Sequence, residues 1–272
     1  MKATTAATAL VALKVKQMFE LDNVEVRREG RTILQVEQLA IDSSAFTVIL
    51  GHNGSGKSTL VNLLTGQFAP EQGKVSLNGK PVDKIKARSL AQQVAFLPQH
   101  LPQVAGLNVS ELVKLGRYPW RGSLGRWREQ DQQLLEEALS QTDMGRFANE
   151  LVDSLSGGER QRAFVAMLLA QQSPILVLDE PTSALDISHQ YQLMSLLSEL
   201  NQRSGRGVVV IIHDINLALR YASKVVALKQ GKVAFAGDTA ELQDEALLRE
   251  LFNAEFRLLS HPELSTKVAA VC

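Results

Sequence analysis

The 272 residues predict an α/β fold with a largely parallel sheet. Three observations carry that expectation. Short apolar runs at Phe46–Leu50 (FTVIL), 175–178 (ILVL) and 208–212 (VVVII) lack alternation, as strands buried on both faces do. Stretches of helical period separate them. A glycine-rich segment follows the first run directly and leads into an apolar-periodic stretch at 59–64, so a strand passes through a tight loop into a helix.

In chain order, 19–26 (FELDNVEV) alternates roughly and reads as a strand, REGR at 28–31 as a turn on Gly30, and 32–41 as a second strand. Strands are also expected at 74–77 and 94–97. From 101 to 151 helical periodicity dominates, as in EQDQQLLEEALS at 129–140, which marks a helical insertion within the α/β body. Strands at 225–228 and 231–235 and a helix over 239–248 close it. Residues 1–18 read as a poorly ordered or helical extension, 19–259 as one domain with 100–154 as most of the helical part, and 260–272 as a loosely packed tail.

Composition narrows the function classes. Lys plus Arg and Asp plus Glu both number 29, so the formal net charge is zero. The basic excess common in nucleic-acid binders is missing, and no nucleic acid is expected as a partner. The one cysteine, Cys272, allows no internal disulfide, which suits a reducing compartment. The apolar stretch near the N-terminus is broken by Lys14 and Lys16 and is too short to span a bilayer.

GHNGSGKST at 51–59 matches the phosphate-loop pattern, and Gly51, His52, Asn53, Gly54, Ser55, Gly56, Lys57, Ser58 and Thr59 are all candidates for cradling nucleotide phosphate. The glycines let the backbone approach the anion, its N–H groups point inward, and the helix N-terminus adds its dipole. Lys57 reaches the β and γ phosphates, and Ser58 is a Mg²⁺ ligand candidate.

The strand at 175–178 ends in adjacent carboxylates. Asp179 suits Mg²⁺ support and Glu180 suits polarising an attacking water. His213 follows the run at 208–212, at the carboxyl end of a strand where open sheets bind ligands. It could contact the γ-phosphate or serve as a structural residue. Gln99, after the strand at 94–97, could orient water or touch Mg²⁺, or be an ordinary loop residue. LSGGERQ at 155–161 opens another helix, where Ser156, Gly157 and Gly158 offer a second phosphate-binding start. Two such starts need not serve one nucleotide within one chain, which points to a dimer.

Together these segments, with SALD at 183–186, resemble the ATP-binding cassette ATPases, the motor subunits of ABC transporters. The resemblance runs from about residue 19 to 259, and LSGGERQ is its most diagnostic part. It implies a P-loop NTPase core, an N-terminal antiparallel β subdomain and an inserted helical subdomain. It also implies a head-to-tail homodimer with ATP and Mg²⁺ between the 51–59 loop of one copy and the 155–161 segment of the other. Ser183–Asp186 would cross the dimer axis, and Gln99 would couple the nucleotide to an integral membrane permease. GRYPW at 116–120, within the stretch 96–126, together with LDEPTSALDISHQ at 178–190 and HDINLALRY at 213–221, is similar to the ATPases of iron(III)–siderophore importers, above all the ferric-hydroxamate type. Importers of other iron chelates, haem or vitamin B12 share much of this pattern. A periplasmic or lipoprotein siderophore-binding protein would be an indirect partner, and the chain would sit peripherally on the cytoplasmic face of the bacterial inner membrane. Cassettes acting on ribosomes or DNA often carry a second cassette or long arms, which this sequence lacks.

The sequence departs from the family pattern twice. An aromatic that stacks on adenine usually follows the first strand. Here Arg28 stands nearest, and its guanidinium could stack instead or simply be solvated. A Gly-Glu turn usually precedes the strand into the phosphate loop, where this chain has SAF at 44–46.

Overall fold

The computed structural model describes residues 18–122, 125–260 and 266–272. Strands β1 (Met18–Arg28) and β2 (Arg31–Asp42) form a hairpin across the turn at Gly30. With β4 (Gln72–Leu77) and β5 (Lys80–Pro81) they make an antiparallel sheet in the order β2-β1-β4-β5. The second sheet holds β3 (Phe46–Leu50), β6 (Val94–Leu97), β7 (Ile175–Asp179), β8 (Gly207–Ile211), β9 (Lys224–Lys229) and β10 (Lys232–Asp238). Its order is β10-β9-β3-β8-β7-β6, parallel except for β10.

Alternation along the central strands serves two cores. Leu176 and Leu178 of β7 face one apolar cluster and Ile175 and Val177 the other; Val208 and Val210 are likewise opposed to Val209 and Ile211 in β8. Burial on both faces is why these strands read as unbroken apolar runs.

Helix α1 (Lys57–Leu64) packs between the two sheets, and short α2 (Ala87–Ala91) precedes β6. The helical insertion comprises α3 (Val109–Leu115), α4 (Tyr118–Arg121) and α5 (Glu129–Gln141), packed on α6 (Gly157–Ala170). Arg117 ties it together: its Nε donates to Asp131 Oδ1 at 2.9 Å and its guanidinium to the Ala170 carbonyl at 2.9 Å, with both side chains buried. Helices α7 (Ile187–Ser204) and α8 (Ile215–Tyr221) follow β7 and β8.

The end of the chain corrects two expectations. The helix expected over 239–248 is α9 (Glu245–Phe252), because Asp244 caps it by accepting from the Ala246 and Leu247 amides at 2.7 and 3.0 Å. The tail expected from 260 onward is not loose where it is described. Strand β12 (Lys267–Val271) pairs with β11 (Phe256–Ser260), and Ala269 is buried. The extension expected at 1–18 lies outside the described residues except for Met18, which opens β1. Among the described residues no helix is long and apolar enough to cross a membrane.

Candidate nucleotide site

Strands β3, β8, β7 and β6 are parallel neighbours, so their carboxyl ends meet one edge of the sheet over about 14 Å. That edge carries the loop after Leu50, His213, Asp179–Glu180 and Gln99 in spatial order, although they are far apart in the chain.

The loop after β3 needs glycine at both ends. Gly51 has φ +144°, and a Cβ there would come 2.3 Å from the Leu228 carbonyl oxygen. Gly56 has φ +99°, and its Cβ would crowd the Ile33 carbonyl and a Leu34 methyl. Gly56 caps α1 without a side chain, and the first turn holds no acidic residue. Its leading N–H groups therefore remain available to an anion.

Lys57 is buried and folds back on its own loop. Its Nζ donates to the Gly51 and His52 carbonyls at 2.8 and 3.0 Å. Burial pushes its pKa down, while Glu180 and Asp179 push it back up. Ser58 Oγ donates to Asp179 Oδ1 at 3.4 Å. Asp179, also buried, has its carboxyl pKa raised, first by burial and further by Glu180, against the Ser58 hydrogen bond and the Lys57 charge.

Glu180 has φ +49°, an uncommon conformation for a residue with a side chain. The chain turns there instead of continuing the strand, and the carboxylate lies between two partners. Gln99 Nε2 donates to Oε2 at 2.7 Å, and His213 Nε2 lies 2.8 Å from Oε1. The Ser183 hydroxyl donates to the Glu180 carbonyl at 3.0 Å and secures the turn.

These groups line one cleft of about 400 Å³, which brings together Asn53, Gly54, Gly56, Lys57, Ser58, Thr59, Gln99, Glu180 and His213. Ser55 is buried within the loop, and His52 turns its ring toward Phe252, at 6.1 Å between centroids. Gln99, a candidate for both water and metal, has Glu180 as its partner here. Two expected groups lie apart from the cleft in a single chain. Arg28 is not a lining residue: at the turn end of the β1–β2 hairpin it places its guanidinium carbon 5.0 Å from the centre of the Phe68 ring, a cation–π contact. Ser156–Gly158 open α6 outside the cleft lining, with Ser156 and Glu159 in a reciprocal cap. Ile33 lines the cleft and was not legible beforehand, since an isoleucine in a strand carries no chemical signal.

The donor set fits Mg²⁺. One hydroxyl and one carboxylate converge at Ser58 and Asp179, and no cluster of three or more His, Cys, Asp or Glu side chains able to hold a metal occurs among the described residues. Magnesium typically takes one or two protein oxygens and completes its shell with phosphate and water, unlike metals held in all-protein cages.

A family model described as ABC transporter matches residues 34–183. Over 238 residues, 87% of this chain and of the relative, the chain is 40% identical to the petrobactin import ATP-binding protein FpuD of Bacillus anthracis. It is 36% identical, over 88% of both chains, to the iron(3+)-hydroxamate import ATP-binding protein FhuC of Bacillus subtilis. Among solved structures it is similar to an inward-facing putative metal-chelate type ABC transporter, with TM-score 0.80 and 26% identity over 94% of this chain and 98% of that one. It is also similar to the dimeric structure of a bacterial ABC transporter cassette, with TM-score 0.74 and 31% identity over 81% of this chain and 98% of that one. With the phosphate loop, the paired acids and the LSGGERQ helix on one such fold, the chain belongs to the ABC transporter family, as an ATP-hydrolysing cassette.

Proposed function

We propose that this chain hydrolyses ATP to drive import of an iron(III)–siderophore chelate, a ferric hydroxamate in particular, through a partner permease in the bacterial inner membrane. The observation that carries the hydrolytic reading is the Glu180 carboxylate, held between Gln99 and His213 on the wall of the phosphate-loop cleft. The import reading draws on the names of the relatives, petrobactin and iron(3+)-hydroxamate import proteins among them.

The phosphate-loop amides and the α1 N-terminus bind the β and γ phosphates. Lys57 leaves the Gly51 and His52 carbonyls and turns to the γ-phosphate. Ser58 and Asp179 hold Mg²⁺, which when bound neutralises charge on the phosphate oxygens. Glu180 orients a water for in-line attack and accepts its proton, and Gln99 and His213 keep its carboxylate aimed. His213 also donates to the γ-phosphate, so loss of that group is felt at the start of α8. Ser156–Gly158 of a second copy close the nucleotide from the other side, in a head-to-tail homodimer. Release of phosphate weakens that dimer, and Gln99 passes the change to the permease. The subunit itself touches neither iron nor chelator, which the permease and a siderophore-binding protein handle, and it sits peripherally on the cytoplasmic face. Arg28 serves the adenine end by swinging from Phe68 onto the base.

Glu180→Gln should abolish turnover while ATP still binds, read by steady-state hydrolysis and nucleotide titration. Undiminished turnover would remove Glu180 from its role. Uptake of labelled ferric hydroxamate, with and without this subunit in a strain lacking any substitute, tests the cargo. Unchanged uptake rejects hydroxamate, and loss of haem or vitamin B12 uptake instead would reassign it.

A further inference from the structure

The C-terminal unit of α9, β11 and β12 contacts the elements that carry the two sides of the nucleotide cleft, the phosphate loop and the turn that opens α8. On one side Phe252, the last residue of α9, sets its ring edge-on to His52 at 6.1 Å between centroids and 62° between planes. Phe252 packs in turn on Phe256 of β11, at 5.9 Å and 66°. Lys229 at the end of β9 closes the α9 terminus by donating to Asn253 Oδ1 at 2.9 Å and to the Glu250 carbonyl. The His52 carbonyl accepts from both Lys57 Nζ and the Ser55 amide, so the residue braced by Phe252 also shapes the loop and receives its lysine.

On the other side stands Asn216, in the first turn of α8, three residues after His213. Its side chain pairs at two points with the backbone of Ala269 in β12. Nδ2 donates to the Ala269 carbonyl at 3.1 Å, and the Ala269 amide donates to Oδ1 at 2.8 Å. The pairing copies a rung of a β-ladder. Asp214 accepts from the Asn216 amide at 2.7 Å, so the turn carrying His213, Asp214 and Asn216 is tied as a unit to β12. The β11–β12 register sets Phe256 opposite Val271 and Leu258 opposite Ala269, so the two contacts are joined through a ladder of five residue pairs. A two-stranded sheet is marginal by itself, so its docking on α8 and α9 holds it in place.

We propose that this unit is a positioning element of the nucleotide cleft, with Phe252 holding His52 and the phosphate loop on one side and the Asn216–Ala269 pair holding His213 on the other. Phe252 and Asn216 are positioning residues that act through His52 and His213. The inference rests on the roles given above to the loop and to His213. It separates the two residues by what each controls. Phe252 shapes the nucleotide-bound ground state, and Asn216 shapes the hydrolytic step.

The test uses the full-length chain as wild type, Phe252→Ala, Phe252→Tyr and Asn216→Ala. Hydrolysis is measured against ATP concentration, and titration with a fluorescent ATP analogue counts folded sites. Phe252→Ala should raise the KM for ATP about 3- to 10-fold with kcat per folded site within about twofold, and Phe252→Tyr should restore the wild-type KM. Asn216→Ala should lower kcat per folded site about 10-fold at unchanged KM. A unit that merely stabilised the fold would reduce the number of folded sites and leave both constants per site alone. Wild-type constants per folded site in both alanine variants overturn the proposal. If Phe252→Ala yields no folded sites, Phe252→Leu keeps apolar bulk without the ring edge. A raised KM there supports the proposal and a wild-type KM overturns it. Failure of the underlying cleft reading shows separately, as undiminished turnover in Glu180→Gln.

Discussion

Asp179 and Glu180 are adjacent in the chain and opposite in environment. Asp179 completes β7 and is buried beside Ser58, whereas Glu180 turns through a left-handed conformation into the cleft. Burial raises the Asp179 pKa, so the folded state binds that proton more tightly than the unfolded chain does. Above both pKa values the ionised, buried carboxylate lowers stability relative to a neutral group. Asp179→Asn is therefore expected to melt at a higher temperature than wild type at pH 7 in magnesium-free buffer, by thermal unfolding. The same variant should lose magnesium-dependent turnover, since the amide carries no charge for the metal. This is stability given up at a functional residue.

At the scale of elements, the helical insertion depends on the buried Arg117–Asp131 pair. Burial, the largest influence on Asp131, raises its pKa, but the Arg117 hydrogen bond, the Arg128 amide and the nearby guanidinium charges outweigh it and leave the carboxyl below its usual range. A depressed carboxyl contributes stability that is complete above its unfolded pKa and is lost as pH falls through the folded one. Asp131→Asn strands the Arg117 charge in the interior and should cost about 3 kcal/mol in urea unfolding at pH 7. The deficit should narrow below about pH 4, where wild type protonates as well. Helix α9 rests on a smaller device. Asp244→Ala removes two hydrogen bonds to first-turn amides and should cost about 1 kcal/mol, seen as early loss of amide-exchange protection in α9.

At the scale of the whole molecule, the phosphate-loop cleft is open and Ser156–Gly158 stand apart from it. Gly157 has nothing within 4 Å of where a Cβ would sit, so the monomer has no steric need for glycine there. A second copy that brings nucleotide phosphate against the α6 N-terminus supplies such a need. Gly157→Asp should leave the melting temperature within about 2 °C of wild type, because an acidic residue suits a helix N-terminus. In the Glu180→Gln background with ATP it should abolish the dimer seen by size-exclusion chromatography, through like-charge repulsion of the phosphates. A dimer that persists would place that surface outside the nucleotide interface.

What could be read directly was contiguous chemistry. The β3–loop–α1 unit lies in one stretch of chain, so its glycines, lysine and serine are already in order, and the β3, β7 and β8 runs announce burial on both faces by lacking a polar alternation. Gln99, Glu180 and His213 could each be named as strand-end residues, but their meeting within 2.8 Å depends on β6, β7 and β8 being parallel neighbours, a fact of strand order. The C-terminal unit is not legible in the sequence because KVAAV is short and weakly patterned, and its pairing with Phe256–Ser260 gains meaning only on the surface of α8 and α9. The His52–Phe252 and Asn216–Ala269 contacts join residues 200 and 53 positions apart. Local sequence sets which backbone conformations and which chemistry are available at a point. Contacts across such separations arise only when burial of the whole apolar surface selects one packing of sheets and helices, and that selection is made by the assembled core.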